Sequence, residues 1–588
     1  ASEQGTRPAR REIEMTVISE PKPRKLYGEA WTAAVVDFAT ATHGRAIAML
    51  VVMSLVAFLP GFFQIPPVDR DEARFAQATK QMIESGDYID IKFQDETRYK
   101  KPVGIYWLQA GVVRLAEAAG LPRARLRIWL YRIPSLIGAI GAVVATYWAA
   151  LAFVSRRAAF LAGLIMATSI LLGVEARLAK TDAVLTLTVV AAMGAMARAY
   201  LAGQGERSVN THPLVTAAVF WTAIALGILV KGPLILMVAG LAIVALAVTD
   251  RSVKWILRLK PAMGATWALA LVLPWFIAII IRSGDSFFVE AIGHDLLAKV
   301  ETGQESHGVP PGFYILLFWV TFFPGAMLAG LAAPAVWRAR SEPGAKFLLA
   351  WLVPSWIVFE LVPTKLPHYV LPLYPAIAIL IVGVIDGQAL SRNRWLVRGT
   401  VWWFILVAAL GVGLIALNVT IGQRLGLPSW AFAAAAAILA LFAWTLYRVD
   451  GAEASLVRAG AASIMVAVAA YALTFARIGG LFPAVPLSDY VRSTNCPDPG
   501  TVTAGYHEPS LVFLVGTNLH HGDGSSAADF LNGESCRFAF IERSQERSFV
   551  QRADALGLRY SSGPRIEGYN ISGGRPVFIN TYRSEPMR

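Results

Sequence analysis

Apolar residues in this chain come in runs of about 20, the length at which an α-helix crosses the hydrocarbon core of a bilayer. Thirteen such runs are read, near 45–65, 131–154, 158–174, 183–202, 214–230, 233–249, 262–281, 312–336, 347–362, 369–385, 399–421, 429–447 and 459–475. Repetition on this scale excludes a soluble globule, whose core could not bury so many continuous apolar helices. Composition points the same way. The 588 residues are 56% hydrophobic and 16% charged, against about 45–50% and roughly 25% in ordinary soluble domains. The expected fold class is an α-helical polytopic membrane protein of about 13 transmembrane helices.

The segment 103–119 (VGIYWLQAGVVRLAEAA) is apolar but short, and Arg114 and Glu117 interrupt it. It is read as an interfacial helix that does not cross. Charge bias tests that reading, because short cytoplasmic loops are enriched in Lys and Arg. With the basic segment 1–44 placed in the cytoplasm, the short loops on its side carry 15 basic residues and those opposite carry 7. Were 103–119 a span, every later loop would change sides and the bias would invert. The domain plan is then a cytoplasmic segment 1–44, a membrane domain 45–478 with a long first outer loop 66–130, and a soluble tail 479–588 on the outer side. The formal net charge of +13 is explained by this loop bias and by anionic lipid, with no nucleic acid implied.

The tail alternates strand-like runs (TVTAGY, SLVFLVG, RFAFIER, RPVFINTYR) with helix-like stretches near Ala527 and Phe549. Gly573–Gly574 reads as a hairpin turn. A small α/β domain is expected. Cys496 and Cys536, the two cysteines of the chain, both fall in it. On an oxidising outer face they can form a disulfide, the alternative being two unpaired thiols.

Unusual polar residues collect on the outer side. The first outer loop opens with PPVDRDEARFAQATKQMIESGDYIDIKFQDETRYKKPVGIYW. Asp69, Asp71 and Glu72 follow the first span closely. Phe75, Ala78, Thr79, Met82 and Ile83 then share one helical face, so the loop reads as two amphipathic helices lying on the membrane, split by the basic stretch RYKKP. Asp71 and Glu72 also suit a helix start. Asp182, in RLAKTDAVLT, has a helix N-cap as its plain role, and Lys231, in VKGPL, has snorkelling to the interface. His294, in EAIGHDLLAKV, is a candidate metal ligand or an ordinary loop histidine. PTKLPHYVLPLYP (363–375) carries Lys365, His368, Tyr369 and Tyr374 between prolines, as an aromatic belt or as donors to a lipid phosphate. Asp71, Lys101, Asp182, Lys231, His294, Lys365 and Tyr369 come from different outer loops yet share one side. Scattered caps and snorkels have no reason to do so; one outer-leaflet cavity does.

These blocks resemble a known family. The stretches DEARFAQATKQMIESGDYI, KKPVGIYW, RIPSLIGA (132–139), AKTDAVLT, KGPL and TKLPHYVLPLYPA, in this order over 45 to about 390, are similar to the aminoarabinose lipid A transferases of the GT-C membrane glycosyltransferases. The resemblance implies transfer of 4-amino-4-deoxy-L-arabinose from undecaprenyl phosphate to lipid A phosphate, at the periplasmic face of the bacterial inner membrane. That modification gives resistance to polymyxin and other cationic antimicrobial peptides. It implies Asp71 and Asp182 as the catalytic acids, with Arg74, Lys101, Lys231, Lys365 and Tyr369 around the lipid phosphate. Where relatives carry Glu-Lys before the loop's proline, this chain carries Lys100–Lys101. No cofactor is required, a divalent metal being left open with His294 as its candidate ligand. The expected partners are the two lipids and the membrane, and the expected state is a monomer. The rival readings are a GT-C enzyme acting on protein or another glycan, and a polyprenyl-linked sugar transporter. The second expects internal repeats, and none is found.

Overall fold

The computed structural model describes residues 27–204, 212–284, 286–289, 309–533 and 536–585; His294 and most of the 1–44 segment lie outside them. Helices dominate. Among the described residues nine helices are long and apolar enough to cross a membrane, or up to eleven if two bent pairs each count as one crossing. Two further expected spans are helical but shorter, at Leu234–Asp250 and at Arg156–Ala167 with Ile170–Glu175. The helix Gly104–Ala118 has 15 residues and is not among the long apolar ones. It leaves Trp107, Leu108 and Leu115 exposed, as an interfacial helix would.

Of three departures from the expected spans, the first two have local causes. The run 158–174 is one stretch in the sequence but two helices in the fold. Thr168 turns its hydroxyl onto Leu164 O at 2.8 Å, and Ser463 Oγ donates to the freed Thr168 O at 2.7 Å. A Thr-Ser pair offers its backbone these alternatives to the helix ladder, and Ser169 takes an extended conformation. The run 312–336 bends by 120° between Phe313–Thr321 and Ala326–Arg338, where Pro324 cannot continue a helix. The first span ends at Phe58 and is preceded by a helix bent 118° from it.

The tail forms a six-stranded sheet. β1 (Lys92–Phe93) and β2 (Glu96–Thr97) make a small hairpin in the first outer loop; the tail contributes β3 (Gly500–Ala504), β4 (His520–Gly522), β5 (Arg537–Glu542), β6 (Tyr560–Ser562), β7 (Ile566–Asn570) and β8 (Arg575–Ser584). The order is β4-β3-β5-β8-β6, with β7 also paired to β8. β3 runs parallel to β4 and β5, and β8 antiparallel to β5, β6 and β7. The β7–β8 hairpin turns at Gly573–Gly574, with Gly574 at φ +65°, where glycine carries no Cβ penalty. Cys496 and Cys536 are disulfide-bonded, their Cα atoms 6.1 Å apart. SLVFLVG is a helix, Pro509–Val515, and not a strand. Its continuous apolar run is buried all round, so it has no period to read, and Pro509 opens the helix.

The largest correction concerns the helix Asp71–Ser85. It does not lie on a lipid surface. Phe75, Ala78 and Met82 pack into the core of the membrane bundle, while Ala76 and Ile83 join a second core with Leu487, Phe513 and Val577 of the tail. Its small residues Ala73, Ala76 and Ala78 let it sit between two bodies. The amphipathic pattern reported one apolar face, but Ile83 of that face joins Ala76 against the tail.

Candidate active site

Five ionisable side chains converge where three membrane helices meet the outer loops: Glu175, Lys180, Asp182, Lys231 and His368. Lys231 Nζ donates to Asp182 Oδ1. Lys180 Nζ stands 3.5 Å from Glu175 Oε1, 3.8 Å from Asp182 Oδ2 and 3.3 Å from His368 Nδ1. His368 Nε2 is 3.7 Å from Asp182 Oδ1. None of these side chains is more than 9% exposed. A buried charge is tolerated only when paired and hydrogen-bonded, and here each ammonium has a carboxylate.

The local sequence explains the convergence. Asp182 opens the helix Asp182–Gly203, where its charge complements the helix N-terminus. It is not the cap, since Thr181 occupies that place without a side-chain bond; its carboxylate goes to Lys231 instead. Lys231 closes the helix Pro213–Lys231, the favoured end for a cation, and is buried in an ion pair where snorkelling would leave it free. Gly232 stops that helix at φ +69°. Gly104 lets the loop helix approach it: a Cβ there would lie 2.7 Å from Leu229 O. His368 comes from the proline-bounded 3₁₀ turn Pro367–Leu373.

Around this cluster the remaining predicted residues separate. Tyr369 places its ring 5.3 Å from Lys231 Nζ, so cation and phenol share one wall. Lys101 lies within electrostatic reach of Lys231 and His368, and Asp71 within reach of Lys180 and Tyr106. Asp71 is partly exposed, as is Arg74 on the same helix. Lys365 is placed differently. Its Nζ donates to Val309 O and Val362 O at 2.8 Å each, and among the described residues no contact joins it to Asp182 or Lys231. Glu72, adjacent to Asp71, is structural: it accepts from Arg132 Nε at 2.7 Å, Arg132 Nη2 at 2.8 Å, Ala179 N at 2.9 Å and Val68 N at 2.8 Å. That buried fork fixes the loop against the spans and sets the position of Asp71.

Glu175 and Lys180 were not singled out by the sequence, and His368 was read only as part of an aromatic belt or of a phosphate-donor segment. The available signal was EARLAKTD itself, which crowds four charges into eight residues at the end of a span. Such charge is costly there unless used.

Among the described residues one trio, Glu175, Asp182 and His368, offers metal-ligand atoms within 4.8 Å of one another. The types suit a divalent ion, but the neighbours do not. Lys180 and Lys231 already place two ammonium groups on these carboxylates, and an added dication would meet both. The trio therefore does not fit a resident metal.

The chain is similar to several known proteins. Residues 100–277 match the family model described as dolichyl-phosphate-mannose-protein mannosyltransferase. The chain is similar to proteins named undecaprenyl phosphate-alpha-4-amino-4-deoxy-L-arabinose arabinosyl transferase. With that of Edwardsiella ictaluri it is 28% identical over 372 residues, 59% of this chain and 61% of the relative. With that of Pectobacterium carotovorum it is 25% identical over 399 residues, 63% and 66%. The chain thus spans under two thirds of the length of these relatives. The crystal structure of ArnT from Cupriavidus metallidurans in the apo state superposes with a TM-score of 0.69 at 19% identity, covering 94% of this chain and 98% of that one. Its undecaprenyl phosphate-bound form superposes with a TM-score of 0.68, covering 91% and 97% at the same identity. Helical bundle, loop wedge and tail sheet together give this multi-pass membrane protein the fold seen in ArnT.

Proposed function

We propose that this protein transfers 4-amino-4-deoxy-L-arabinose from undecaprenyl phosphate to a phosphate of lipid A, at the periplasmic face of the bacterial inner membrane. One observation carries the reading. A partly exposed carboxylate, Asp71, lies within electrostatic reach of a buried cluster in which Lys180, Lys231 and His368 gather on Asp182 with Tyr369 beside them. The names of the similar arabinosyl transferases and the undecaprenyl phosphate held by ArnT support the donor.

The chemistry follows from charge. In the reaction the bond from the anomeric carbon to the carrier phosphate oxygen breaks, and an oxygen of the acceptor phosphate bonds to that carbon. Charge builds on the leaving phosphate, and fixed cations stabilise it without reorganising; Lys231 and Lys101 with the Tyr369 hydroxyl are the groups for this. An ionised acceptor phosphate needs no general base, so Asp71 orients the acceptor and faces the positive charge that develops at the sugar. Two lipids held side by side supply proximity. A cavity of about 550 Å³ lined by Ile315, Phe318, Trp319, Leu352, Trp356 and Ile381 suits the prenyl tail. The chemistry described requires no metal, and the protein acts as a monomer.

Mass spectrometry of lipid A tests the reading, in cells that lack such a transferase and carry this gene. Wild type is expected to add aminoarabinose and Asp71→Asn to add almost none. Lipid A left unmodified by wild type would overturn the substrate assignment. The match to a protein mannosyltransferase model makes a protein acceptor the second reading, which modified periplasmic peptides in the same cells would favour.

A further inference from the structure

A second cavity, of about 400 Å³, lies where the helices His43–Phe58, Arg156–Ala167, Trp402–Thr420 and Tyr447–Ala467 come together. Its walls are mostly apolar, with Phe58, Leu410, Leu414 and Leu417 among them and hydroxyls from Thr168, Ser169 and Ser463, and its charged lining group is Arg177. This guanidinium is 4% exposed, and no acidic side chain of the described residues forms an ion pair with it. Its Nε donates to Pro60 O at 2.9 Å, and its two terminal nitrogens donate to Gly173 O and Ala57 O. Tyr471 presents its ring 4.1 Å from the guanidinium carbon. The carbonyls belong to helix C-terminal ends, which favour a cation. They take one N–H from each nitrogen, and a guanidinium has five. A buried full charge with donors left over beside an apolar cavity is complementary to an anion that carries a hydrocarbon chain.

The geometry points to a binding site for an anionic phospholipid of the surrounding bilayer, its phosphate on Arg177 and one acyl chain in the cavity. Position favours a bilayer lipid over a reactant: none of Asp71, Asp182, Lys231, Lys365 and Tyr369 lines this cavity. Depth agrees as well. Arg177 follows the helix Ile170–Glu175 at the same membrane end as the catalytic cluster, so the headgroup sits at outer-leaflet level. Access is provided by Gly413, an exposed lining residue. A Cβ on Gly413 would meet nothing within 4 Å, so side chains there enter open space. This inference does not depend on the transferase reading.

The test uses the full chain in nanodiscs of phosphatidylcholine doped with phosphatidylglycerol, with retained lipid counted by native mass spectrometry after detergent exchange. Wild type is expected to keep one phosphatidylglycerol per chain. Arg177→Gln should keep it at least about tenfold less well, the loss of a charge-assisted hydrogen bond. Gly413→Phe fills the cavity while leaving Arg177 and its carbonyl bonds in place, so it is expected to lose the lipid even if Arg177→Gln folds poorly. Equal retention by wild type and Gly413→Phe would overturn the site. Equal retention of phosphatidylcholine would overturn the anionic preference, and displacement by stoichiometric undecaprenyl phosphate would reassign the cavity to the carrier.

Discussion

The buried charge cluster and the seam between the first outer loop and the tail are built from opposite materials. At the cluster, charge meets charge: two carboxylates, two ammonium groups and an imidazole, from three separate stretches of chain, are packed out of solvent. At the seam, single hydrogen bonds to carbonyl and hydroxyl oxygens predominate. Gln94 Nε2 donates to Thr517 O at 3.0 Å and Leu519 O at 2.7 Å, Gln77 Nε2 donates to Thr517 Oγ1 at 2.9 Å, and Lys80 Nζ reaches Phe513 O at 3.2 Å. The two regions differ in what a mutation leaves behind. Removing one charge from the cluster strands another in a buried place, whereas removing a seam amide frees groups that water can satisfy. Buried charge is an expensive way to hold a fold. Its concentration at one point is the feature on which the proposed transfer rests.

The largest expected effect is therefore at the cluster. Asp182→Ala should abolish transfer and destabilise the membrane domain by about 3–5 kcal/mol, because Lys231 is left unpaired; thermal unfolding in detergent reads this. Asp182→Ala combined with Lys231→Met should recover much of the stability and none of the activity. Recovery of activity as well would mean that the cluster is structural, and the contrast with the seam would collapse. Next comes the covalent tie in the tail. Cys496→Ser opens a loop of 40 residues and should cost the tail about 4 kcal/mol. Limited proteolysis would show the tail cut while the membrane bundle stays protected.

How much of this was readable in the residues depends on the region. Span positions came from apolar length, and the breaks inside two of them did not, because Thr168–Ser169 is also acceptable helical sequence until Ser463 takes the freed carbonyl. At the site, Asp182, Lys231 and Tyr369 were legible as costly groups at membrane ends, and the structure puts them together. Lys365 looked the same in sequence. It is spent on two carbonyls, and charge alone does not distinguish those uses. The seam was almost illegible. Glutamines and threonines carry no special cost, and the tail-facing side of the helix Asp71–Ser85 mixes Ala76, Gln77, Lys80 and Ile83, which shows no apolar stripe. Docking between distant parts of a chain leaves little trace in either part.

The seam supplies the smaller effects. Gln94→Ala removes the bonds to both tail carbonyls and to His521 Nε2, 3.0 Å from Gln94 Oε1. It should loosen the tail by about 1–2 kcal/mol, since each neutral hydrogen bond contributes about 0.5–1.5. Hydrogen exchange in Pro509–Val515 should rise, with transfer reduced only slightly. A loss as large as that of Asp182→Ala would show that the seam is part of the reaction machinery.

The smallest effect is the most specific, because the seam holds one carboxyl whose proton is displaced. Asp69 accepts from Ser510 N at 3.0 Å. Burial pushes its pKa up to about 7, with Glu508 and Glu72 adding to the rise against the lowering from Ser510. When undocked it would titrate in the ordinary carboxylate range, near 4. The docked form therefore binds the extra proton between about pH 4 and 7. Docking gains its full contribution from Asp69 below that window, weakens as pH rises through it, and has lost the contribution above about 7. Asp69 is partly exposed, so the slope should be shallow. Protease sensitivity of the tail should increase from pH 5 to pH 8 in wild type, and Asp69→Asn should remove that part of the trend. An unchanged slope in Asp69→Asn would assign the pH response to other groups and leave docking independent of the Asp69 proton.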